Sequence, residues 1–121
     1  VAERAGCSHH AWAEYTTIGL ERNGELVGGV VFECFTGTNA NIHVAGSGSY
    51  WMTRVFLFAV FGYAFNQLKL KRLTGYVEAA NTRALGFNRK LGFTQEAVLK
   101  DAVPSGDVMI MCMRREDCRF I

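Results

Sequence analysis

Residues 39–67 constrain the fold more than any other stretch of the chain. A short period-two segment leads into a Gly/Ser loop (Gly46, Ser47, Gly48, Ser49) and then into a long apolar run with helical character. The first unpaired backbone N–H groups of that helix, and the positive end of its dipole, face whatever occupies the loop. Such a terminus favours phosphate without any particular side chain, and glycine lets the backbone come close to it. A further strand follows the helix, so a crossover joins two parallel strands and the chain is of the α/β type with a mixed sheet.

The elements on either side agree. Asn23-Gly24 between two β-rich runs, residues 15–22 and 25–35, reads as a type I′ hairpin turn. Both faces of the second run are mainly apolar, as in a sheet covered on two sides. Residues 40–45 form the next strand, with Asn41, His43 and Ala45 on one face and Ile42 and Val44 on the other. The helix expected over residues 50–68 has almost no polar side, which predicts burial all round. After a strand at 72–79, Asn81 is placed to cap a helix over 82–91 and Gly92 to end it. Strands at 93–99 and 107–113, joined through Pro104-Ser105-Gly106, complete the order β-β-β-α-β-α-β-β. Residues 1–10 read as the end of a helix.

At 121 residues the chain fits one domain, 1–121, large enough for a core without metal or disulfide. Its net charge of +2 does not point to nucleic acid, although Arg83, Arg89 and Lys90 form a basic cluster. Cys7, Cys34, Cys112 and Cys118 lack paired spacing and read as reduced thiols of a cytoplasmic protein. Cys7, His9 and His10 lack the partners of a metal site, so no metal is expected. The most apolar run has 11 residues, where a membrane span needs about 20, and no leader segment is evident. No membrane association is expected. The aromatic stripe of Phe58, Phe61 and Phe65 suggests core packing or a homodimer contact.

Asn81-Thr82-Arg83-Ala84, then Asn88-Arg89-Lys90-Leu91-Gly92-Phe93, Glu96 and Lys100-Asp101-Ala102, resemble the motif block of the GNAT N-acetyltransferase superfamily. The resemblance runs over residues 15–116 and is nearest to the branch containing the ribosomal-protein N-terminal acetyltransferases. It implies a GNAT-like mixed β-sheet, splayed after its central strand, with helices on both faces and the family's N-terminal helices largely missing. It also implies acetyl-CoA as cosubstrate and an amine acceptor. By position, the pantetheine arm would meet Val44, Ala45 and Gly46, and the pyrophosphate would meet Gly48, Ser49, Trp51, Met52, Thr53 and Arg54. This loop departs from the family pattern, with Gly48 at the leading basic position and Trp51 and Thr53 at the small ones. Arg54 is equally readable as a surface residue. Asn81 would both cap its helix and reach the cofactor, or do the first alone.

Direct attack of an amine on a thioester requires a route for the amine proton, stabilisation of the carbonyl oxygen and a proton for the thiolate. His43 is the candidate base, because it lies on the central strand and imidazole titrates near neutrality. Glu33 on the neighbouring strand is the alternative, and a water chain is a third. The family's acid, a Tyr seven residues after the Asn, is here Asn88, which leaves Tyr50, Tyr76 and Ser49 as substitutes. A non-catalytic acyl-CoA-binding or interaction module on the same fold is the competing reading.

Overall fold

Period-two patterning and turn chemistry set up the first three strands. The computed structural model describes residues 16–22, 24–46 and 53–121, so the helix end read in residues 1–10, Asn23 and loop residues 47–52 lie outside it. β1 (Thr16–Arg22) and β2 (Glu25–Glu33) pair antiparallel. Arg22 opposes Glu25, leaving a two-residue turn in which Gly24 takes φ 80°, the left-handed region glycine enters without strain. β3 (Asn39–Gly46) pairs antiparallel with β2, Val31 opposite His43 and Glu33 opposite Asn41.

The central helix starts later than its apolar run suggests. Thr53 is still extended, and its hydroxyl accepts the Phe56 N–H at 3.2 Å, so the cap belongs to α1 (Arg54–Phe61). A π-helical segment, Gly62–Gln67, continues the helix. Arg115 closes the far end by donating to the Phe65 carbonyl and to Asn66 Oδ1, the latter at 2.9 Å, which places a cation at the negative end of the dipole. Tyr63 ties the same segment to β1 by donating to Thr16 Oγ1 at 3.1 Å.

β4 (Arg72–Glu78) leads to α2 (Thr82–Leu91), β5 (Thr94–Val103) and β6 (Gly106–Arg114). α2 has the ends its sequence announces. Asn81 Oδ1 accepts the Ala84 N–H at 3.1 Å, and Gly92, at φ 115°, turns the chain so that the Phe93 N–H meets the Asn88 carbonyl. The six strands form one mixed sheet in the order β1-β2-β3-β4-β6-β5, with β3 and β4 its parallel pair.

One face carries the core. Val30, Phe32, Ala40, Ile42, Leu73 and Val77 meet Phe56, Leu57, Val60, Phe61 and Phe65 from the central helix and Leu85 and Leu91 from α2. Phe61 lies at the centre, its ring 5.4 Å from that of Phe120 and 6.3 Å from those of Phe65 and Phe93. Alternation sends Glu33, Asn39, Asn41, His43, Arg72 and Thr74 to the opposite, polar face. There Arg72 holds Glu96 with two hydrogen bonds, at 2.6 and 3.0 Å, and donates to Asn39 Oδ1 and Thr74 Oγ1, both at 3.2 Å. This network links β3, β4 and β5 at one end of the sheet.

Two expectations need correction. The central helix is not buried all round. Among the described residues both helices pack on one side of the sheet, so the outward side of α1 is open, with Val55 80% and Phe58 44% exposed. Nor are all the cysteines reduced: Cys112 and Cys118 are buried free thiols, whereas Cys34 is disulfide-bonded. Disulfides follow side-chain proximity in the fold, which local spacing does not reveal.

Candidate functional site

The parallel pair at the middle of the sheet comes apart. β3 and β4 pair only at Asn39–Arg72, Ala40–Leu73 and Asn41–Thr74. Beyond that point β3 stays paired to β2 as far as Gly46, and β4 to β6 as far as Glu78, so among the described residues their facing edges have no strand partner. Backbone N–H and C=O groups along such edges require other partners. The divergence opens a cavity of about 340 Å³ with His43 and Val44 on one wall, Gly75 and Tyr76 on the other, Val60 and Phe61 behind, and Asn81, Phe87 and Asn88 from α2. An extended, amide-bearing ligand could satisfy both edges as an added strand would.

The two candidate bases meet. Val31 opposes His43 and Glu33 opposes Asn41, so Glu33 and His43 are diagonal neighbours on one face, within reach of long side chains. Glu33 Oε1 lies against His43 Nε2. The Glu33 side chain is fully enclosed, while that of His43 remains 25% exposed at the cavity wall. The contact is an ion-pair approach and not a well-aligned hydrogen bond: among the described residues neither Glu33 oxygen nor His43 Nε2 has a hydrogen-bond partner.

The other expected residues are spread along the opening. Val44 is half-exposed in the cavity wall, and Ala45 and Gly46 finish β3 opposite Gly29 and Gly28. Gly48, Ser49, Trp51 and Met52 lie outside the described residues, as does Tyr50. Thr53 uses two N–H groups of the first turn of α1 itself, Phe56 on its hydroxyl and Leu57 on its carbonyl, and those of Arg54 and Val55 have no partner among the described residues. The Arg54 guanidinium lies 6.0 Å from the Phe58 ring centroid, on the outer side of the helix. Asn81 lines the cavity with its Oδ1 engaged in capping. Asn88 also lines it, but its amide donates to the Ala84 carbonyl at 2.9 Å. Tyr76, the candidate acid among the described residues, lines the cavity.

Of the apolar back wall, Leu57 and Val60 carried no signal in the sequence and Phe61 stood out only as part of the aromatic stripe, because their spacing is indistinguishable from ordinary core spacing. Phe87 carried a weak signal as the one aromatic of α2, which also bears Leu85 and Leu91. Elsewhere, Arg72 holds the Glu96 carboxyl below its ordinary range through their hydrogen bonds, and burial raises the Cys112 thiol. Among the described residues no cluster of His, Cys, Asp and Glu could hold a metal, and no helix is long and apolar enough to cross a membrane. A second hollow is lined by Lys71, Arg72, Arg114 and Arg115, but its arginines are engaged by Glu96, by Glu116, and by Phe65 with Asn66.

A mixed six-stranded sheet that opens between its parallel central strands, with helices packed against it, is the GNAT N-acetyltransferase fold. Three solved structures illustrate the likeness. A point variant of the spermidine N-acetyltransferase SpeG from Vibrio cholerae matches with a TM-score of 0.74 at 18% identity, over 83% of this chain and 65% of that one. The N-acetyltransferase PseH from Campylobacter jejuni, in complex with acetyl coenzyme A, matches at 0.65 and 18% identity, over 84% and 68%. A probable acetyltransferase matches at 0.73 and 18%, over 87% and 66%. The chain thus spans about two thirds of the length of the structures it matches. No protein-family model and no curated protein matches the sequence.

Proposed function

We propose that this chain is an acetyl-CoA-dependent N-acetyltransferase domain acting on a primary amine. The observation that carries the reading is the gap between β3 and β4, with unpaired strand edges and His43 at its wall. The names of the similar structures support it, one being a spermidine N-acetyltransferase and another a complex with acetyl coenzyme A.

The chain's own groups fit such a ligand. The edge of β3 from Ile42 to Gly46 would pair with an extended amide arm, toward which Asn81 would reach, and Gly48, Ser49, Trp51, Met52, Thr53 and Arg54 would surround its phosphate end. Bound there, acetyl-CoA supplies an acetyl thioester. Backbone N–H groups on the open edge of β3 then face its carbonyl oxygen as fixed dipoles, the usual largest contribution to acyl transfer. His43 accepts the proton of the attacking amine. Tyr76, which lines the same cavity, is placed to return a proton to the departing sulfur. Phe61, Phe87 and Val60 keep water from the back of the cavity.

The same reading holds the acceptor to be a protein N-terminus or a small-molecule amine, with affinity to the ribosomal-protein N-terminal acetyltransferase branch. It includes a homodimer formed through the open side of α1, where Val55 and Phe58 are exposed. Nucleic acid and membranes are not partners in it. Its cytoplasmic location rested on reduced cysteines, and the Cys34 disulfide bears against that part.

One observation favours a second reading, a binding module without turnover: Asn88 stands where many family members have the acid, and its amide is committed to Ala84. Thiol release from acetyl-CoA, measured across peptide N-termini, polyamines and aminoglycosides, separates the two. Amine-dependent release is expected. Binding of CoA without release would favour the module, and absence of both would overturn the proposal.

A further inference from the structure

His43 and Glu33 are not alternatives: we infer that Glu33 is a positioning residue, which keeps the proton of the neutral His43 ring on Nε2 and thereby presents Nδ1 as the basic nitrogen. The inference rests on the acetyltransfer reading for its kinetic consequence, but its structural content stands on the pair itself.

Glu33 is enclosed completely, so its carboxylate cannot touch an acceptor amine, whereas His43 is partly open and lines the cavity. The ring nitrogen that faces this carboxyl is Nε2, and because a carboxylate only accepts hydrogen bonds, a hydrogen bond within the pair requires the ring proton on Nε2. A neutral imidazole has one N–H, which leaves Nδ1 with its lone pair free. Among the described residues His43 is the one polar group in contact with the buried Glu33 carboxyl, and burying a carboxylate so sparsely partnered is costly. An apolar residue would fill the same space without that cost, so packing alone does not account for Glu33. The sheet register supplies the geometry: Glu33 and His43 are fixed one step apart on adjacent paired strands, so the contact needs no loop to hold it.

In the step this serves, the amine nitrogen bonds to the acetyl carbon while its proton passes to Nδ1 of His43. The carbon–sulfur bond breaks, and the sulfur leaves with the electron pair, to be protonated by Tyr76 or solvent. The imidazolium so formed keeps its Nε2–H toward Glu33, which balances the charge, and its Nδ1 proton is returned to water.

The test begins with long-range ¹H–¹⁵N NMR of the full chain, with the His43 ring identified by its absence in His43→Asn. Expected is a neutral ring protonated on Nε2 with a bare Nδ1. A proton on Nδ1 would overturn the inference, whether or not the protein turns over an amine. The kinetic arm compares Glu33→Gln, His43→Ala and the double variant. Glu33→Gln keeps shape and a hydrogen-bonding group, so a structural filler would lose melting temperature at most. A positioning carboxylate loses kcat/KM by about 10²-fold, the lower end of general-base effects, with KM for acetyl-CoA unchanged. The double variant should be no slower than His43→Ala. If Glu33→Gln slows His43→Ala by its own full factor, Glu33 acts independently and the inference fails. Should Glu33→Gln not fold, the wild-type tautomer still decides.

Discussion

Gly75 allows the cavity to be tested separately from the stability of the fold. It sits in the interior of β4 with its missing side chain toward the gap, and a Cβ placed there would meet Asn88 Oδ1 at 3.8 Å and nothing closer. Contact at that distance is unstrained, and an interior strand glycine costs about 0.5–1 kcal/mol relative to alanine. Gly75→Ala should therefore raise stability by about that amount, or roughly 2–6 °C in melting temperature for a domain of this size. Gly75→Leu sends a larger side chain into the cavity of about 340 Å³, where the free protein has room for it but a bound ligand does not. Overpacking costs about 1–3 kcal/mol, which corresponds to roughly 5- to 150-fold weaker CoA binding. Thermal melting with and without CoA, together with calorimetric titration, reads both effects on one sample. A folded Gly75→Leu variant that binds CoA like the wild type would show that the ligand does not enter the gap, and a destabilised Gly75→Ala would contradict the account of the strand.

Phe61→Ala removes the ring that Phe65, Phe93 and Phe120 surround, and should cost about 3–5 kcal/mol in urea unfolding; a loss under about 1 kcal/mol would contradict its central place in the core. Arg72 depresses the Glu96 carboxyl in the folded state, so that contribution is present above the unfolded carboxylate's pKa and is lost as pH falls through the lower folded value. With the Glu96 side chain 47% exposed, it amounts to at most about 1 kcal/mol, so wild type and Glu96→Gln should differ by that much near neutrality and converge in acid; divergence in acid would refute the sign. Asn81→Ala should cost about 1 kcal/mol through the lost cap, while Asn81→Ser should recover it; CoA affinity that stays low in Asn81→Ser would assign the amide a ligand contact as well.

What the sequence made legible was what local chemistry controls. Asn23-Gly24, Asn81 and Gly92 placed the hairpin and both ends of α2 because turn and cap preferences depend on a few adjacent residues. The start of α1 was placed too early: apolar periodicity begins before Thr53, yet the hydroxyl that can cap the first turn decides where the helix starts. The π-helical continuation left no mark in the pattern of Gly62–Gln67. His43 and Glu33 were each visible as candidates, but their contact was not, because it depends on the register of β2 against β3, and a one-residue slip would turn one of them to the other face. The burial of Glu33 was hidden for the same reason, since its own strand reads as apolar on both sides. Tyr76 entered the cavity through the divergence of β3 from β4, a property of the sheet and not of any short segment.

The central claim is that the open edge of β3 holds the acyl-CoA arm, and the most direct test is a backbone amide NMR titration of the full chain with CoA. The account predicts shifts concentrated at Ile42 to Gly46, Thr53 to Val55, Tyr76 and Asn81, with a fully paired strand such as β6 little changed. Shifts confined to Arg83, Arg89 and Lys90 on the outside of α2, with β3 silent, would contradict it.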